Sequence, residues 1–86
     1  MKPPPLVLVE WEDSAQPDGQ WRFLDNWSAP TVVHCTSVGF LIYDGTDVKA
    51  LAPNMAETNE PDAQASSVIR IPARCVTRIK QLRVPR

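Results

Sequence analysis

The 86-residue chain has little of what catalysis, metal binding or membrane insertion requires. It carries one histidine, His34, and two cysteines, Cys35 and Cys75, with no CxxC pair. A structural zinc takes four ligands, commonly paired a few residues apart, so these three do not supply a metal site. On a strand His34 and Cys35 point to opposite faces, which leaves no local thiol–imidazole pair for nucleophilic catalysis. There is no P-loop and no GxGxxG, and the acid pairs Glu10/Glu12 and Asp44/Asp47 read as solvated surface. No apolar run approaches the ~20 residues of a membrane helix. The opening "MKPPPLVLVEWEDS" has a four-residue apolar run before its acids, unlike a signal peptide. The reading is a non-enzymatic, cytoplasmic chain with no cofactor, no metal and no membrane partner. Its thiols are expected to stay reduced and to act as small hydrophobes.

Glycine and aromatic residues are scarce as well: three glycines and 7% aromatics, against nine prolines. That balance excludes long helices. A chain of this length buries only about 60% of its unfolded surface, so Trp11, Trp21 and Trp27 are expected to carry much of a small core. Net charge is −1 but segregated. Residues 1–69 hold three bases against all ten acids, and residues 70–86 hold six bases and no acid. Such asymmetry marks either a polyanion-binding tail or a basic strand lying beside an acidic one.

What is present is strand and turn chemistry. Residues 1–5, "MKPPP", form a flexible proline-rich lead-in, and residues 6–86 a single domain. "LVLVEWE" (6–12) is β-branched and aromatic, and Pro17-Asp18-Gly19 breaks it. "WRFLDNWSAP" (21–30) reads as a structured loop pinned by its tryptophans, and the competing α+β reading makes 21–29 a true helix. "TVVHCTSVGFLIYDG" (31–45) is the longest strand-like run, with Gly39 marking a bend or bulge. Asp44-Gly45 signals a tight hairpin and "TDVKALAP" returns from it. Residues 54–66 are polar and acidic, hence an exposed loop. "SVIRIP" is a fourth strand, "ARC" a corner and "VTRIKQLRV" a fifth. The fold class is therefore all-β, a small five-stranded, strongly bent antiparallel barrel of SH3-like or Sm-like form.

"IPARCVTRI" (71–79) resembles the corner of SH3-type barrels, where an Ile-Pro step precedes a single 3₁₀ turn and a Val opens the closing strand. More broadly, "VEWEDS" (9–14), "TSVGFLIYDGTDVKALAPN" (36–54) and "IRIPARCVTRI" (69–79) resemble a family of small phage and prophage proteins. That resemblance implies an accessory protein acting in a bacterial host cytoplasm, with no established catalytic residues. Small Sm-like barrels of phage form rings and serve against host defence by sequestering nucleotide signals, and fold analogy extends that activity here.

The candidate ligand-binding residues are Arg70, Arg74, Arg78, Trp21, Arg22 and Trp27. Arginine forks match phosphate geometry, and an exposed aromatic beside an arginine stacks a base. On the fourth and fifth strands Ile69, Ile71 and Ile79 are expected to face inward, leaving Arg70, Arg78 and Lys80 outward and Arg70 near Arg78 across a tight corner. Against this stand two plainer readings: Arg78 and Lys80 pair with Glu10 and Glu12 across the first strand, and Trp21 and Trp27 cap the open end of the barrel. The expected partner is a cyclic or other small anionic nucleotide held by a homo-oligomer. The alternatives are a host or phage protein bound through a strand edge or loop 54–66, and RNA or DNA bound through the basic C-terminal segment.

Overall fold

β-branched runs punctuated by Asp-Gly and Pro build an all-β chain. The computed structural model describes residues 3–14, 19–58 and 61–85. Seven strands form: β1 (Leu6–Asp13), β2 (Val33–Asp44), β3 (Val48–Ala52), β4 (Asn54–Ala56), β5 (Gln64–Ser66), β6 (Ile69–Pro72) and β7 (Val76–Gln81). Five of them make one antiparallel sheet in the order β6-β3-β2-β1-β7, and β4 and β5 pair separately. Two single 3₁₀ turns, Leu24–Asn26 and Ala73–Cys75, are the only helical pieces among the described residues. The helix over 21–29 is therefore reduced to the first of those turns. No described helix is long and apolar enough to cross a membrane.

The sheet is open, where the sequence predicts a barrel. β6 and β7 stand at its two edges, joined only through the 3₁₀ turn. β6 has four residues and ends in Pro72, whose ring nitrogen has no proton to donate to a closing ladder. The proline-rich lead-in is tied down where it meets the sheet: the Leu41 N–H donates to the Pro5 carbonyl at 2.9 Å. Met1 and Lys2 lie outside the described residues, as does the Pro17-Asp18 half of the first breaker.

Register fixes which side chains share a face, since directly opposed residues of an antiparallel pair lie on the same side. One face carries Val9 between Ser37 and Ile79, Val7 between Gly39 and Gln81, and Leu51 between Leu41 and Ile69. Val7, Val9, Leu51 and Ile71 bury there as the core, with Trp11, Leu41, Cys75 and Val76 packed against them. All three inward-facing isoleucines sit on the edge strands β6 and β7, and only Ile71 is fully buried; Ile69 and Ile79 remain 36% and 38% exposed. Trp11 meets the core expectation, and its indole N–H donates to the Ser37 hydroxyl at 3.0 Å. Trp21 and Trp27 do not, being 101% and 53% exposed.

Two irregularities shape the sheet. The bulge in β2 falls at Ile42, between Leu41 and Tyr43, rather than at Gly39. Gly39 instead admits a close approach: a Cβ there would stand 2.9 Å from the Ala52 carbonyl oxygen. The second shift, beside Glu10 and Trp11, leaves Thr77 as the extra residue of β7. The Thr77 hydroxyl donates to the Glu10 carbonyl at 3.1 Å, so the acceptor that the bulge removes from the ladder is still satisfied. Residues 54–66 carry more structure than the exposed loop expected of them, because β4 and β5 pair there as a short hairpin. Glu57 and Ser67, at the ends of these strands, both adopt positive φ.

Candidate functional site

β1 and β2 are longer than the strands flanking them, and this difference builds the most prominent feature of the molecule. β7 reaches only as far as the Trp11–Val76 pair. Beyond it, Glu12 with His34 and Asp13 with Val33 continue as a two-stranded ribbon. Between the two strands, residues 19–32 are all exposed and form an arm. It contains Trp21, Phe23, Leu24 and Trp27, at 101%, 86%, 79% and 53% exposure. The 3₁₀ turn at its centre is held by Asn26 N–H donating to the Phe23 carbonyl and Trp27 N–H to the Leu24 carbonyl, both at 3.2 Å. That turn reverses the chain, so that Trp21 and Trp27 come to line one concavity.

This concavity, about 570 Å³ and open to solvent, is lined by Trp21, Arg22, Phe23, Asn26, Trp27 and Ser28. It gathers three of the six sequence candidates, Trp21, Arg22 and Trp27, and adds Phe23, Asn26 and Ser28. Two indoles and a phenyl ring offer stacking faces, the guanidinium a forked donor, and the amide and hydroxyl neutral hydrogen bonds. Aromatics interleaved with one arginine accept a flat, anionic ligand.

The other three arginines lie outside this concavity. Arg70 lies on β6 opposite Ala50, and Arg78 on β7 opposite Glu10, the two strands being joined through the Ala73–Cys75 turn. Arg78 Nη1 lies 3.9 Å from Glu10 Oε1, both side chains largely exposed. The cross-strand ion pair expected on this edge is therefore present for Arg78. Lys80 faces Leu8 instead of an acid, and Glu12 lies 3.9 Å from His34 Nδ1. Arg74 lines a separate depression with Thr46, Asp47 and Pro72, next to the Ala73 N–H that donates to the Asp47 carbonyl at 2.9 Å.

Among the described residues no three of His, Cys, Asp and Glu cluster as metal ligands. Both cysteines are free and half-buried. Phe23, Asn26 and Ser28 were within reach of sequence reasoning, since they share one ten-residue segment with the tryptophans. What was missing was the direction of the rings, which sequence does not encode locally. No protein-family model, no curated protein and no solved structure matches the chain.

Proposed function

We propose that the chain is a non-enzymatic binding module that works as a homo-oligomer and takes a small anionic nucleotide on its aromatic arm. The observation that carries this reading is one open concavity that brings Trp21, Arg22, Phe23 and Trp27 together. Base–aromatic stacking contributes about 1–3 kcal/mol per base, and a guanidinium fork suits phosphate. A net charge of −1 gives no long-range attraction for an extended polyanion, which favours a small nucleotide over RNA or DNA. A phage-type accessory role, sequestering a nucleotide signal of host defence, extends this proposal and rests on the resemblance of residues 9–14, 36–54 and 69–79.

Isothermal titration of the full chain against cyclic di- and trinucleotides and linear mononucleotides tests it. Saturable heat that disappears in Trp21→Ala/Trp27→Ala is expected, and flat traces across the panel sink the reading. A second reading is favoured by the β4–β5 hairpin, which stands apart from the main sheet: a host or phage protein bound there. Shortening residues 54–66 then abolishes a specific capture, and a capture indifferent to that change removes this alternative.

A further inference from the structure

The chain exposes far more surface than a folded monomer of its mass. Its accessible surface is 7388 Å², against about 5,100 Å² expected for a compact chain of this size. The radius of gyration is 17.1 Å, where about 12 Å is expected. The excess, about 2,300 Å², comfortably exceeds the ~800 Å² per partner that a stable interface needs.

Exposed apolar side chains gather in two places that matter here. One is the arm, where Leu24, Val32 and Val33 are 79%, 50% and 43% exposed and take no part in lining the concavity. The other is the face of the sheet turned away from the core. There register aligns Leu8 with Val38 and Leu6 with Phe40, with Val38 51% exposed and the other three half-buried. Lys80 flanks this stripe opposite Leu8, and Arg78 stands on the same face one pair away. The arm and its stem are net negative, with Glu12, Asp13 and Asp25 against Arg22.

We propose that the outer sheet face of one copy is covered by the arm of a second copy of this chain. Leu24 and the Val32–Val33 pair lie across the Leu8–Val38 stripe, and the arm's acids face Arg78 and Lys80. Both halves of the contact come from the same sequence and are apolar, and Lys80, with the share of Arg78 not taken by Glu10, meets the acids of the arm. The molecule extends 57 Å along one axis and about 26 Å across, an elongation that leaves surface for a second copy to cover. The inference does not depend on the nucleotide reading, because Leu24, Val32, Val33, Leu8 and Val38 lie outside the concavity.

Sedimentation equilibrium of the full chain, without any nucleotide, is the test. A mass that is a multiple of 9.6 kDa is expected. Val38→Glu and Leu24→Glu should each weaken association by about tenfold or more. Both positions are exposed, so the far-ultraviolet circular dichroism should be unchanged. Lys80→Glu should also weaken association, and Asp25→Lys in the same chain should restore part of it. A mass of 9.6 kDa at every concentration overturns the proposal. Assembly that survives both Val38→Glu and Leu24→Glu in folded protein overturns the assigned surface.

Discussion

Gly39 on β2 and Ala52 on β3 meet backbone to backbone: a Cβ added to Gly39 would lie 2.9 Å from the Ala52 carbonyl oxygen and 3.2 Å from its carbonyl carbon. Both residues are buried, and neither contact is with a side chain that can swing away. Gly39→Ala should therefore separate the two central strands and cost about 1–3 kcal/mol. Gly45 offers the internal control. The nearest atoms to its added Cβ belong to the ring of Tyr43, a side chain 58% exposed that can swing toward solvent. Gly45→Ala should stay within about 0.5 kcal/mol. Urea midpoints of the two variants, compared at equal slope, decide the point.

The five isoleucines and leucines of the closing half illustrate what the sequence could and could not convey. Period-two alternation predicts that Ile69, Ile71 and Ile79 all point to the core face, and register places them there. Whether a core-facing residue is buried depends on what packs over it from elsewhere in the fold, which alternation does not report. Ile71 on one edge strand joins the core cluster at 0% exposure, while Ile79 on the other edge strand stays 38% exposed. Ile71→Ala should accordingly cost about 2–5 kcal/mol, a large part of the total for a domain this small. Ile79→Ala should cost under about 1 kcal/mol. Thermal denaturation followed by circular dichroism distinguishes them, and equal losses would mean that β7 is covered on its core face.

The same limit explains the arm. Strands β1, β2, β3, β6 and β7 and the Asp44-Gly45 turn were legible because branched runs and turn residues act locally. The Pro72–Val76 corner was legible for the same reason. Tryptophans in a turn-rich segment read as caps on a compact chain, because a compact chain is the default expectation. Here β1 and β2 outrun β7, so Trp21 and Trp27 are carried away from the core instead of over it. The β4–β5 pair escaped notice because three-residue strands are too short to show alternation.

Thr77 is a small test of how the sheet accommodates its bulge. Its hydroxyl donates to the Glu10 carbonyl at 3.1 Å, at the position where the β1–β7 register shifts. Thr77→Val keeps the branched shape and removes the donor. The expected loss is about 0.5–1.5 kcal/mol, read from the urea midpoint. Thr77→Ser keeps the hydroxyl and should recover most of it. If Val and Ser behave alike, packing at Cγ rather than the hydrogen bond holds this edge.

Arg22 and Arg78 separate ligand binding from surface electrostatics. Arg78 lies 3.9 Å from Glu10, with side chains 59% and 43% exposed, and exposed pairs of this kind contribute about 0–1 kcal/mol and weaken with salt. Arg78→Ala should leave stability within that range and nucleotide affinity unchanged. Arg22 lines the aromatic concavity, where a charged hydrogen bond is worth about 1.5–3 kcal/mol, or roughly tenfold or more in affinity. Arg22→Ala should lose at least that much. Arg22→Lys keeps the charge and loses the fork, so it should fall between the two if phosphate is held bidentately. Titration of all three variants against whichever cyclic nucleotide binds the parent chain provides the measurement. Equal weakening by Arg22→Ala and Arg78→Ala would shift the site from the arm to the diffuse field of the basic edge.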